Sequence, residues 1–180
     1  KSAMLKPASQ LPDWDDRPLY SNWEGSVVLD PADSFYHALL LEQAKLHIEK
    51  IPASSGICID RLDWMRYYNS NGDDGISMIG QQKTRSLLVS WNDIITPIAQ
   101  MMHAAHKVIF CNPLNRRIDV LQHIDGIYDE FGYLPYSLNL CSQMAFFKPI
   151  IAWTFSKDNL QPDPDAYFQR HIYMGALVTD

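Results

Sequence analysis

Long apolar runs, basic clusters and an even set of cysteines are all missing from this sequence, and each absence removes a class of protein. No stretch approaches the roughly 18 apolar residues of a membrane span. The opening Lys1-Ser2-Ala3-Met4-Leu5-Lys6 lacks the apolar segment of a secretory signal, so the chain reads as soluble, with its compartment open. The longest basic run is Arg116-Arg117, and the net charge is -6, which argues against nucleic acid or an anionic membrane as partner. Three cysteines give no disulfide framework; Cys58 and Cys111 sit in apolar runs, where a small buried thiol is the ordinary expectation.

Chemical motifs are equally sparse. There is no Gly-x-Gly-x-x-Gly, phosphate loop or Gly-x-Ser-x-Gly elbow. His103-x-x-His106 ends a helical stretch, His123 and His171 lie far away, and no His-Glu-x-x-His or His-x-His is present, so neither a metal nor another cofactor is expected. The loop from Tyr67 to Lys83 is rich in Asn, Asp and Gly. No register of it places glycine sixth and glutamate twelfth as a calcium-binding hand requires, and a mobile active-site loop with solvated turns is expected instead.

What is present is a sequence of 180 residues with 47% hydrophobic content, enough for one core and short for two. Residues 1–25 mix Pro, Asp and aromatics without periodicity and read as an extended segment; 26–180 read as one domain. Short apolar runs alternate with helical patterns through that domain. Strands are expected at Ser26–Leu29, Gly56–Asp60, Lys107–Asn112, from Gly126, at Pro149–Thr154 and at Ile172–Val178. Between them, Asp33 or Ser34 can cap a helix carrying Tyr36, Leu40, Ala44 and Ile48, which ends before Pro52. The strongest helix signal runs from Leu87 through Trp91, Ile94, Ile98 and Met102 to Ala105. Pro97 inside it predicts a kink or a break, because it removes the amide that would bond Asp93. A short helix near Arg117–Gln122, another over Leu138–Phe147, and one from Asp163 or Asp165 to Arg170 complete the pattern.

This alternation indicates an α/β fold with a parallel sheet and outer helices. A closed eightfold barrel takes about 250 residues. The expectation is therefore a partial (β/α)8 TIM barrel of about six parallel strands, the third to the eighth, with another chain or chain segment completing it. A doubly wound open sheet is the alternative.

Chemistry concentrates where two strands end. Gly56-Ile57-Cys58-Ile59-Asp60-Arg61-Leu62-Asp63-Trp64 runs from an apolar strand into charge and an aromatic ring. Gly126-Ile127-Tyr128-Asp129-Glu130 repeats the design, again with an acid four residues after the glycine. Side chains alternate across a strand, so Gly56, Cys58 and Asp60 share one face, as do Gly126, Tyr128 and Glu130, while Asp129 is expected to face away, towards the helices or a salt bridge. Two such carboxylates can divide the work of glycoside hydrolysis, one attacking or activating water and the other protonating the leaving oxygen. Trp64, Trp153, Tyr67 and Tyr68 offer aromatic faces to a sugar. Asp30, Arg61, Asp63 and Asn112 offer hydrogen bonds.

These stretches, taken with Asp30-Pro31, Lys107-Val108-Ile109-Phe110-Cys111-Asn112-Pro113, Asp125-Gly126 and Trp153, resemble the later strands of TIM-barrel glycoside hydrolases. The pattern is most similar to the α-galactosidase-like (melibiase) superfamily and its uncharacterised relatives, over roughly residues 26–178. The resemblance implies that Asp60, ending the fourth strand, is the nucleophile, and that Glu130, or else Asp129, ending the sixth, is the acid/base. The superfamily usually has an aspartate at that second position. The expected activity is retaining hydrolysis of an α-linked sugar. The competing expectation is a non-catalytic carbohydrate-binding or structural subunit on a degenerate, incomplete barrel.

Overall fold

Why the apolar runs become strands, and which way each faces, is visible in their pairing. The structure, a computed structural model, describes residues 6–7, 27–60, 62, 67–112, 117–154, 157 and 160–179. Along the chain the elements are β1 (Lys6–Pro7), α1 (Ser34–Lys50), β2 (Gly56–Asp60), β3 (Tyr67–Asn69), β4 (Met78–Ile79), β5 (Gln82–Lys83), β6 (Arg85–Ser86) and α2 (Leu87–Ala104). There follow β7 (Val108–Asn112), a 3-10 helix (Ile118–His123), β8 (Gly126–Asp129), α3 (Pro135–Ala145), β9 (Ile150–Trp153), α4 (Pro164–Met174) and β10 (Ala176–Thr179). The chain divides into two compact units, Lys1–Pro52 with Trp64–Met101, and Ala53–Asp63 with Met102–Asp180.

The second unit holds a five-stranded sheet in the order β10-β9-β8-β7-β2, every neighbouring pair parallel. Each strand thus pairs with the next sheet strand in the chain, and the order never reverses. A doubly wound sheet requires such a reversal; unbroken winding belongs to the (β/α) barrel. The fold is that of a partial TIM barrel, with five parallel strands among the described residues where the sequence predicts six. The difference lies at Ser26–Leu29: Val27 and Leu29 make isolated bridges only, and Val28 is buried with Leu87 in the first unit, where Tyr67 and Trp91 pack against them.

Alternation sorts the two faces of the sheet. Ile109, Cys111, Ile127, Ile150 and Ala152 are buried on one face, and α3 lies against β8 and β9 while α4 lies against β10. Burial of each large aliphatic side chain here contributes about 1.5–3 kcal/mol. The opposite face carries Cys58, Asp60, Phe110, Asn112, Tyr128 and Trp153.

Register adds what the sequence does not display. Gly56 pairs with Val108, whereas Gly126 pairs with Phe110, two residues further along the same strand. The two glycines are therefore staggered, as barrel closure requires. At Gly126 the space a Cβ would need is taken by the Phe110 ring, 2.3 Å away.

Three local expectations are corrected. Helix α4 runs to Met174, past the predicted start of the last strand, because Asp163 caps it by accepting from the Ala166 amide and Gly175, at φ 70°, supplies the left-handed residue that ends it. Of the kink or break expected at Pro97, the break is overturned, since helix α2 runs continuously from Leu87 to Ala104; Ile94, Ile95, Ile98 and Met102 are all buried, and that burial outweighs the hydrogen bond lost at Asp93. The loop from Tyr67 to Lys83 is not a run of solvated turns: β3 pairs with β6 and with β1, and β4 with β5, all antiparallel. Asp74 organises it. Its carboxylate accepts from the amides of Ile76, Ser77 and Ser86 at 3.0, 2.6 and 2.8 Å, and although burial opposes this, those bonds lower its pKa to about 2.

Candidate active site

Asp60 and Asn112 are direct partners in the β2–β7 ladder, so their side chains stand side by side on the face away from the helices. Asn112 Nδ2 donates to Asp60 Oδ1 at 2.7 Å and to Glu130 Oε2 at 3.2 Å. In return, Asn112 Oδ1 accepts from the Glu130 amide at 3.3 Å. One buried amide, 5% exposed, thus joins the two carboxylates predicted from the sequence. Because both bond one nitrogen, the joined oxygens lie at most 2.7 plus 3.2 Å apart, about 5.9 Å. Asp60 is exposed and Glu130 half-buried, so both remain open to a ligand.

The same face carries Cys58 and Tyr128. Partial burial raises the Tyr128 phenol, followed by the negative fields of Glu130, Cys58 and Asp60. Glu130, Cys58 and Asp60 thus all lie within electrostatic reach of Tyr128. Cys58 is exposed, contrary to the expectation of a buried thiol, because its parity is that of Asp60 and not of Ile59. Partial desolvation of the thiol and, second, the Asp60 charge push its pKa up to about 11, so it stays a protonated thiol at neutral pH. Cys111, of the opposite parity, is buried as expected. Trp153 ends β9 one step beyond Ala152, the partner of Asp129, and so presents its half-buried ring on the Glu130 side of the sheet.

Asp129 points the other way. It is fully buried, accepting from Ser137 Oγ on α3 at 2.8 Å and from the Phe131 amide at 3.1 Å. Burial raises its pKa against the opposing effects of Ser137, Phe131, Cys141 and His171. Its Oδ2 has no hydrogen-bond partner among the described residues. It braces β8 against the helices and cannot touch a ligand lying on Glu130. The sign of its titration follows. A carboxyl whose folded pKa is raised gives its full stabilisation below the unfolded value near about 3.9 and loses it as pH rises through the folded pKa. Asp129→Asn, which keeps the acceptor for Ser137 and cannot ionise, is expected to flatten the fall in stability between pH 4 and neutrality. Urea midpoints at both pH values check this.

Asp30 belongs to the first unit. It is buried, with Oδ1 accepting from the Ala32 amide at 3.0 Å and Oδ2 from Asn69 Nδ2 at 2.8 Å. Both oxygens are thus engaged within that unit. Arg61, Asp63 and Trp64 lie outside the described residues.

One member of the short basic pair is structural. Arg117 is 1% exposed, pairs with Asp119 at 2.8 Å and donates from Nη1 to the Leu62 carbonyl at 3.1 Å. The Leu62 amide in turn donates to the Asn112 carbonyl at 3.2 Å. The Leu62 peptide groups are therefore tied on both sides. The Arg117-x-Asp119 spacing is the signal that could have marked it. Among the described residues, no group of three or more His, Cys, Asp or Glu is arranged to hold a metal, and no helix is long and apolar enough to cross a membrane.

Unbroken parallel winding gives the fold class as a partial TIM barrel, with the two acids at the ends of strands that flank β7. A solved TIM-barrel structure, Aspergillus fumigatus Ega3 in complex with galactosamine, is similar with a TM-score of 0.53 and 18% identity. The match covers 87% of this chain and 59% of that one, so the chain spans less than two thirds of Ega3. At that identity the likeness shows the fold alone. No protein-family model and no curated protein sequence matches the chain.

Proposed function

We propose that the chain carries the catalytic face of a retaining glycoside hydrolase acting on an α-linked sugar, with Asp60 as nucleophile and Glu130 as general acid/base. The observation that carries this reading is the pair of accessible carboxylates held by one amide. The two joined oxygens lie at 2.7 and 3.2 Å from the same nitrogen, a closeness that suits a double displacement, in which the two carboxyl groups stand roughly 5–5.5 Å apart. Asp60 attacks the anomeric carbon as its bond to the leaving oxygen breaks, and Glu130 gives that oxygen its proton. Glu130 then takes a proton from water, whose oxygen displaces Asp60 and returns both carboxyl groups to their starting states. Trp153 offers a ring for the apolar face of the sugar.

The α-galactosidase-like resemblance and the galactosamine bound to Ega3 direct the choice of substrate towards α-linked galactose and galactosamine. The reading also takes the rest of the barrel from another chain or chain segment, added beyond the edge strand β10, where Leu177 is 62% exposed. The test is a screen of aryl α-galactosides and α-galactosaminides against this chain and any longer gene product containing it. Glu130→Gln is expected to lose about 10²–10⁴-fold on substrates with a poor leaving group and to keep most activity on a dinitrophenyl glycoside, which needs no proton. Equal loss on both substrates would remove Glu130 from the acid role. Sugar binding without any hydrolysis would favour the binding-subunit reading.

A further inference from the structure

We infer that Asn112 is the positioning residue of this site, a clamp that fixes the separation of Asp60 and Glu130, and not a group that binds the sugar. The inference rests on the reading of those two acids as the reacting pair. An asparagine side chain offers two N–H donors and one carbonyl oxygen. Here both acids accept from Nδ2, and Oδ1 takes the Glu130 amide. Both donors are thus engaged, and the residue is 5% exposed, so a sugar hydroxyl finds no donor left on it.

The position of Asn112 in the sheet explains how one side chain reaches both acids. It ends β7, between β2 and β8, and its ladder partner is Asp60. The two-residue stagger carries Glu130 further along than Asp60, to the residue just after β8, and β7 is the strand that lies between β2 and β8. Its backbone is tied as well, the Asn112 carbonyl accepting from the Leu62 amide at 3.2 Å. Hydrogen bonds from one common donor hold both carboxyl groups at a fixed spacing while the negative charge passes from Asp60 to Glu130 during the reaction. An alanine here would leave the two acids free to part, and a misplacement on the order of 1 Å costs about 10²-fold in rate.

The test begins on the intact chain by NMR of the Asn112 side-chain amide. Asp60→Asn is expected to shift one of its two amide protons upfield, and Glu130→Gln to shift the other. Both proton resonances ignoring these substitutions, or the same one answering to both, would overturn the clamp. Kinetics supply the second arm: Asn112→Ala is expected to lower kcat about 10²-fold with KM nearly unchanged. A raised KM with kcat intact would make Asn112 a sugar contact instead. If no glycoside is cleaved but the amide protons answer separately, the hydrolase reading fails and the clamp stands. If glycosides are cleaved and the protons do not answer, the clamp fails alone.

Discussion

Asp60→Asn is expected to lower turnover of an α-glycoside by about 10⁴-fold or more, with the fold and KM little changed. The amide is isosteric with the carboxylate, and Asp60 is exposed at the end of β2, so no packing is lost. What disappears is the anionic oxygen that the proposed mechanism uses to bond the anomeric carbon. The Asn112 amide loses its charged acceptor at the same time, but a neutral carbonyl oxygen remains in its place. Steady-state kinetics on the purified variant, with circular dichroism alongside, check the effect. Turnover within tenfold of the unaltered chain would mean that Asp60 is not the nucleophile.

The largest expected effect on stability comes from the other end of the same strand. A Cβ at Gly56 would sit 2.0 Å from the Val108 carbonyl oxygen, a backbone atom of the paired strand that cannot swing aside. Gly56→Val is therefore expected to force β2 away from β7 and destabilise the fold by about 3 kcal/mol. Gly56 also exchanges hydrogen bonds with Ser54 Oγ at 2.7 and 3.1 Å, which fix the entry to the strand. Separating these strands opens the Asp60–Asn112 bond four residues on, so activity is expected to fall with stability. Gly126→Ala provides the contrast. Its Cβ would meet the Phe110 ring, a side chain able to rotate, and the expected cost is about 1–2 kcal/mol. Urea denaturation of both variants checks the order; a Gly56→Val chain as stable as the original would contradict the pairing of Gly56 with Val108.

The strands most legible in the sequence are those where an apolar run stops at a polar residue, as at Asp60 and Asn112. Parity was enough to separate Glu130 from Asp129, since alternation is a property of one strand and needs no knowledge of its neighbours. Asn112 as a bridge was not legible, because it depends on a stagger between β7 and β8 that no single strand records. The burial of Arg117 was hidden for a similar reason: beyond the nearby Asp119, it bonds the Leu62 carbonyl, 55 residues back, which local spacing does not record. Strands β4, β5 and β6, two residues each, are too short to show a period. The end of α4 was missed because Ile172 and Tyr173 read equally well as strand, and only the φ 70° of Gly175 marks where the helix stops.

Trapping of a covalent glycosyl ester is the decisive test of Asp60 and Glu130 as a reacting pair. A 2-deoxy-2-fluoro glycosyl donor slows both steps of a double displacement and lets the first product accumulate on a retaining enzyme. Incubation followed by peptide mass spectrometry is expected to find the fluorosugar in ester linkage on the peptide containing Asp60, and to find none on Asp60→Asn. A label on another residue, or hydrolysis with inverted anomeric configuration and no label, would contradict the account.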